Sequence, residues 1–323
     1  MNNIIKKIRN RFKEEIVTVT LNPVLDKTLW IKDFTPGKTF QVERSETVAG
    51  GKGVNISRAL QILGIRSVAT GIMALGGSEP YISLLEKDTI QHDFISVDGT
   101  LRTNITIISN TISGETHLRE RGPNLNNSIL TEIETKLKKL SMGHNYFVFS
   151  GSLPEGLEDN TYNRLINAVT QIGKVTMFDT SGAPLKEGLM AKPFFIKPNA
   201  PEVKDALGFY PETTEELVRS IQSFVHLGIK NIMITLGEKG LIFFQGKDII
   251  HARVDIPHPL NTVGSGDASL AGGLIGIVGE LETEETARLA CAMGGANTFV
   301  SGACVFNLED VHKLIDRVEI INL

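Results

Sequence analysis

The 323-residue chain contains only two cysteines, Cys291 and Cys304. They form no CxxC pair and have no histidine beside them, so the common zinc-site spacings are excluded. Such sparse cysteine use fits a reduced compartment, and a cytoplasmic location is the expectation. An excess of positive charge is also lacking. The formal net charge is −4, so the basic footprint of a nucleic-acid partner is missing. No run reaches the roughly 18 apolar residues that a membrane-spanning helix needs, and no membrane partner is expected. Repeats, low-complexity stretches and linker-like segments are absent as well.

Apolar residues, by contrast, make up 41% of the chain, enough for a large core. Residues 1–15 stand apart. They carry Lys6, Lys7, Arg9, Arg11 and Lys13, with Ile4, Ile5, Ile8 and Phe12 at roughly helical spacing. They contain neither a continuous apolar run nor a cleavage site, so they do not read as a signal peptide. A short, solvated, partly frayed basic extension is expected, followed by one domain over 16–323.

From Ile16 onward, apolar runs alternate with helical patterns, the mark of βαβ units and a mostly parallel sheet. Strands are expected at Ile16–Leu21, Arg66–Gly71, Tyr146–Phe149, Val175–Phe178, Phe194–Ile196 and Asn231–Leu236. Helices are expected at Val54–Leu63, Ser128–Leu140, Thr161–Gln171 and Thr214–Leu227, and again at Asp267–Val278, Glu284–Val300 and Leu308–Val318. Two segments, about 27–48 and 102–121, instead alternate polar and apolar residues. They predict a small antiparallel sheet with one wet face, placed as a lid or as a surface that pairs two subunits.

Glycine-rich and polar turns follow several of these strands, and ligands of open α/β sheets bind at the carboxyl ends of strands. Two phosphate motifs are excluded. Gly37-Lys38-Thr39 ends like a P-loop, but Lys32 stands where its first glycine belongs. Gly264-Ser265-Gly266 begins like a dinucleotide fingerprint, but Ser269 replaces the third glycine. What remains is Asn261–Asp267 before a helical pattern. Bare amides at a helix N-terminus attract an anion. A carboxylate beside them would repel that anion, unless it faces a hydroxyl that must lose its proton. The plainer alternative is a helix cap at Asp267. Gly50-Gly51-Lys52-Gly53-Val54-Asn55 forms a second cluster, with Asn55 suited to sugar hydroxyls.

Together these segments resemble the two signatures of the PfkB carbohydrate kinases, in a layout that spans Ile16 to Leu323. Thr20-Leu21-Asn22-Pro23 with Asp26, Arg102-Thr103-Asn104, Ser150–Pro154 and Lys197-Pro198-Asn199 with Glu202 are similar to its hexose-phosphate branch. The resemblance implies an α/β, ribokinase-like three-layer fold with a β-sheet lid. It also implies ATP-dependent phosphorylation of a ketohexose phosphate: tagatose 6-phosphate, fructose 1-phosphate or fructose 6-phosphate. Asp267 is then the base, and Gly264, Ser265 and Gly266 the anion hole. Asp26, Gly51, Lys52, Asn55, Arg102 and Ser152 bind the sugar phosphate. Lys197, Asn199, Thr235, Gly237, Gly240 and Asn297 bind ATP, with Asn199 and Glu202 positioning Mg²⁺. A homodimer through the lid is also implied.

His117 and Arg119 match no residue of the pattern, and Gly273 stands where a larger apolar residue is usual. The Thr116–Leu125 run and the C-terminal Arg317–Leu323 are closer to the tagatose branch. The alternatives are a kinase of a free sugar or nucleoside, a non-catalytic sugar-phosphate sensor, and a dehydrogenase.

Overall fold

The run IVTVT at residues 16–20 is buried at every position, as a strand covered on both faces must be. The structure, a computed structural model, describes residues 3–109 and 115–323. The expected extension (1–15) and lid (102–121) therefore each include a few positions outside the described residues.

Helix α1 (Asn3–Arg11) precedes strand β1 (Ile16–Thr20) and the hairpin β2 (Val24–Trp30) and β3 (Arg44–Gly50). Next come α2 (Lys52–Ile62), β4 (Ser67–Gly76), α3 (Ser78–Lys87), β5 (Gln91–Thr100), β6 (Arg102–Ile108) and β7 (Glu115–Arg119). The middle of the chain runs α4 (Ile129–Leu140), β8 (Tyr146–Ser150), α5 (Thr161–Thr170), β9 (Val175–Asp179), α6 (Gly182–Leu189), β10 (Phe195–Ile196), α7 (Ala200–Leu207), α8 (Thr214–His226) and β11 (Asn231–Thr235). The end adds β12 (Leu241–Gln245), β13 (Asp248–Arg253), α9 (Ser265–Val278), α10 (Thr283–Asn297), α11 (Leu308–Ile315) and β14 (Glu319–Asn322).

The main sheet has the order β14-β13-β12-β11-β10-β9-β8-β1-β4-β5. Neighbours from β11 to β5 pair in parallel. The far edge, β12 to β14, is antiparallel. Helices α2, α9, α10 and α11 pack one face, and α4, α5, α6, α7 and α8 the other. This is the expected three-layer α/β architecture. At Gly273 the Phe195 ring from the sheet fills the space, and a Cβ there would lie 3.0 Å from it.

The second sheet has the order β3-β2-β6-β7. It is the expected small second sheet with a corrected pattern: β2 and β6, the two central strands, run parallel. They come from distant parts of the chain, so no hairpin forces the opposite sense.

The first helix is a second correction. The expected solvated extension is docked on the domain, with Ile5 and Ile8 each 1% exposed. Arg9 Nε donates to the Leu63 carbonyl at the end of α2 (2.7 Å), and Arg11 donates to the Glu280 carbonyl just past α9. Phe12 packs on Tyr146 with ring centroids 5.4 Å apart. The apolar stripe holds a short helix in place because it completes the core. Ile8→Ala is therefore expected to cost about 2–4 kcal/mol, against about 0.5 kcal/mol or less for a solvated residue. Urea unfolding of the two proteins checks this.

Candidate active site

The parallel strands end at a cleft of about 1380 Å³. Its lining includes Asp26, Gly51, Lys52, Asn55, Arg102 and Ser152 at one end, and Thr235, Gly237 and Gly240 at the other. Lys197, Asn199 and the Gly264–Asp267 turn also line it. The sequence-predicted residues are thus brought together, with two exceptions. Asn297 is fully buried and does not line the cleft. Its Nδ2 donates to the Val263 carbonyl (2.8 Å) and to Ser265 Oγ (3.1 Å), and its Oδ1 accepts from Cys304 N. It braces the anion loop from behind, so its expected place on the adenine wall is corrected. Glu202 is the other exception. It forms a reciprocal capping box with Asn199, Glu202 N to Asn199 Oδ1 and Asn199 N to Glu202 Oε2, both 2.8 Å. The immediate work of that pair is to start α7.

The anion cradle is built by backbone. Gly264 caps α9 with φ 84°, and a Cβ there would meet Ala303 at 2.7 Å, so only glycine fits. Ser265 N donates to the Thr262 carbonyl (3.2 Å), which leaves the Gly266 and Asp267 amides of the first turn without a helical partner, on a turn that lines the cleft. Asp267 sits in that first turn, buried, and accepts from Asn55 Nδ2 at 2.8 Å. Burial pushes its carboxyl up to about 6, against the pull of the Lys52 ammonium. A carboxylate tuned to that range is deprotonated at neutral pH yet basic enough to take a proton.

Asp179, at the end of β9, was missed by sequence reasoning. It is completely buried and bridges two cations, with Lys52 Nζ 3.1 Å from Oδ2 and Lys197 Nζ 3.1 Å from Oδ1. Burial disfavours its charge, but Lys197 and Lys52 outweigh that and hold its carboxyl below the usual range. Burial likewise favours the neutral form of Lys52, and the carboxylates of Asp179, Asp267 and Glu202 reverse it, raising the ammonium above its usual range. The Lys197 ammonium reaches the cradle itself, 3.4 Å from where a Gly266 Cβ would stand. Two cations held in place by one buried anion thus face the amide turn. The signal was the position of Asp179 at a parallel strand's carboxyl end. Its partners came from distant segments and could not be read.

The lid supplies the opposite wall. In register, Asp26 pairs with Asn104 across β2 and β6, and Asn104 with Arg119 across β6 and β7. Alternation puts Val24, Asp26, Arg102, Asn104 and Arg119 on the face that looks into the cleft. Asn104 Nδ2 donates to Asp26 Oδ1 at 2.9 Å, and Arg102 Nη2 to the Asn22 carbonyl at 2.8 Å. Burial raises the Asp26 carboxyl. The buried Arg102 Nε, Asn104 Oδ1 and Thr20 Oγ1 have no protein partner, which is what a polar ligand would satisfy. Sequence reasoning assigns Asn104 no role of its own, although the 102/104 alternation carries the information, and it takes Arg119 only as added positive charge beside Arg102 that suggests a phosphorylated sugar.

A cradle of amides and lysines beside a buried carboxylate, under a polar sheet, is equipped to move a phosphoryl group onto an alcohol, and the chain is a phosphotransferase of that class. It belongs to the pfkB family of carbohydrate kinases, whose sequence profile matches residues 19–310. It is 32% identical over 307 residues to the 1-phosphofructokinase of Borreliella burgdorferi, covering 94% of this chain and 98% of the relative. It is 28% identical over 312 residues to a tagatose-6-phosphate kinase of Staphylococcus epidermidis, covering 95% and 100%. In fold it is similar to the phosphofructokinase-2 from Escherichia coli in complex with potassium, with TM-score 0.88, 23% identity, and coverage of 94% and 99%.

Proposed function

We propose that the protein transfers the γ-phosphoryl group of ATP to the free terminal hydroxyl of a ketohexose monophosphate, with fructose 1-phosphate first and tagatose 6-phosphate second. The observation that carries this reading is the Asp267 carboxylate at the mouth of the amide cradle, in a cleft whose lid presents Arg102 and Arg119. The 1-phosphofructokinase relative supports the first substrate, and the tagatose-like sequence runs keep the second in play.

The sugar lies under the lid, with Asp26 and Asn55 on its hydroxyls. Arg102 and Arg119 hold its existing phosphate, for which guanidinium forks are suited. Asp267 takes the proton of the attacking hydroxyl as its oxygen bonds to the γ-phosphorus and the bond to the leaving ADP oxygen breaks. The amides of the Gly264–Asp267 turn, with Lys197 and Lys52, stabilise the charge on the transferring group. The nucleotide lies towards Thr235, Gly237 and Gly240.

Among the described residues no group of three or more His, Cys, Asp or Glu is placed to hold a metal. Mg²⁺ is compatible with this, since it takes few protein ligands and is carried mainly by phosphates and water. Asn199, which lines the cleft with Glu202 capped behind it, would receive that water shell, and the ion would neutralise phosphate charge.

A coupled ADP-release assay across fructose 1-phosphate, tagatose 6-phosphate, fructose 6-phosphate and free fructose, ribose and adenosine tests the reading. Turnover is expected only with the phosphorylated sugars, and preference for a free sugar or nucleoside would overturn it. Arg102→Ala is expected to raise KM for the sugar phosphate by about 10–100-fold, the loss of a charge-assisted fork of about 1.5–3 kcal/mol, with KM for ATP unchanged. Steady-state kinetics in both substrates check that split. Pairing of two subunits through the lid belongs to the same reading, with Leu118 on β7 being 53% exposed. Light scattering on the purified protein is expected to give a dimer.

A further inference from the structure

One turn beyond Asn55, helix α2 carries a buried arginine that the chemistry above does not use. Arg58 is 5% exposed, and its guanidinium makes four contacts. Nε donates to Asp88 Oδ2 at 2.7 Å. Nη1 donates to Asn55 Oδ1 at 3.3 Å and to the Ala303 carbonyl at 3.1 Å. Nη2 donates to the Ala49 carbonyl at 2.6 Å.

Three of the four partners have a place in the site, and the fourth, Asp88, closes α3. Asn55 is the donor to Asp267. Ala303 is the residue against which Gly264 packs. Ala49 is the residue before Gly50-Gly51, where the lid strand β3 returns to the domain.

The contact with Asn55 has a chemical consequence. A guanidinium only donates, so the end of the amide facing it must be the carbonyl oxygen. The amide nitrogen is then the end that faces Asp267. The flipped amide would set oxygen against carboxylate and NH₂ against guanidinium, and both contacts would be repulsive. We propose that Arg58 is a positioning residue for phosphoryl transfer: it fixes which end of the Asn55 amide meets Asp267 and ties that amide to the lid hinge at Ala49 and to the backing of the anion loop at Ala303. This rests on the reading of Asp267 as the base.

With Arg58 in place, the Asn55 hydrogen bond favours the ionised form of Asp267, as Lys52 and Lys197 do, whereas Asp179 opposes it. The Cys304 thiol, raised well above its usual range by burial, stays protonated beside it. Losing the orientation therefore raises the base's apparent pKa.

The test is a double-mutant cycle on the full chain, using Arg58→Lys, Asn55→Ala and both together. Lysine keeps the charge but cannot reach all four acceptors as a fork. Arg58→Lys is expected to lower kcat by about tenfold, to leave KM for ATP unchanged, and to move the acid limb of the kcat profile to higher pH. The double variant is expected to lose no more kcat than Asn55→Ala alone, because Arg58 acts through that amide. Additive losses, or an unmoved acid limb, would overturn the proposal.

Asp88→Asn keeps the guanidinium and loosens only its Nε, so it covers the case in which Arg58→Lys does not fold. It is expected to lower kcat about two- to threefold with the same direction of limb shift, and an unmoved limb again refutes the idea. The comparison is internal to whichever acceptor the wild type phosphorylates. A wrong sugar assignment therefore leaves a measurable cycle, whereas a wrong role for Arg58 shows as additivity.

Discussion

Replacing Asp267 by asparagine is expected to lower kcat by about 10²–10⁴-fold while leaving the KM for ATP within about twofold. The amide keeps the size of the side chain and can still accept from Asn55 Nδ2, which lies 2.8 Å from the carboxylate, but it cannot take a proton. The same change should stabilise the fold at neutral pH. Burial raises the Asp267 carboxyl from 3.8 to about 6, so between those values the folded state holds a proton that the unfolded chain has released. Stability from this group is full below about pH 4, falls as pH rises towards 6, and is lost above it. The asparagine variant has no such loss, and the gain at pH 7 is at most about 3 kcal/mol. Thermal melts at pH 5 and pH 7.5 check this: the variant's advantage should appear at the higher pH. In the wild type, kcat/KM should fall as pH drops through about 6.

The second large effect is expected at Asp179. Asp179→Asn removes the anion that Lys52 and Lys197 share. Lys197 is 4% exposed and would be left a buried, unpaired cation. Breaking such a pair from one side costs about 3–5 kcal/mol, enough to threaten a domain whose whole stability is about 5–15 kcal/mol. Where the variant still folds, both ammonium groups lose the anchor that holds them at the cradle, and kcat should fall by about 10²-fold or more. The double replacement Asp179→Leu with Lys197→Met should recover part of the stability, because the fully buried Lys197 charge goes with its partner while the partly exposed Lys52 keeps Asp267 nearby, but none of the activity. Urea unfolding and turnover measured side by side separate the two effects.

Local chemistry made much of this legible in the chain. The parallel strands announce themselves through runs such as IVTVT, buried on both faces. The Gly264–Asp267 turn carries both its conformational need and its reactive group within four residues. Asp26 and Arg102 sit in alternating segments whose period fixes which face they share. What stayed hidden depends on partners far along the chain. Asp179 looks like any polar residue at a strand end until Lys52, from the start of α2, and Lys197, just after β10, converge on it. Asn297 looks like a polar residue on a ligand wall, and only packing shows it turned to the backbone of Val263 and Cys304. The stripe Ile4, Ile5, Ile8 and Phe12 gives no hint of whether a surface awaits it, and the end of α2 and the turn after α9 supply one. The parallel pairing of β2 with β6 is equally a property of the assembled sheet.

The most direct measurement is ³¹P NMR of the purified protein incubated with ATP, Mg²⁺ and fructose 1-phosphate, run beside Asp267→Asn. If Asp267 deprotonates a sugar-phosphate hydroxyl at the amide cradle, the wild type converts the substrate to the 1,6-bisphosphate with one ADP per product, and the variant shows almost none. Equal bisphosphate from both proteins would contradict the assignment of the base. No bisphosphate from the wild type with either fructose 1-phosphate or tagatose 6-phosphate would contradict the function itself.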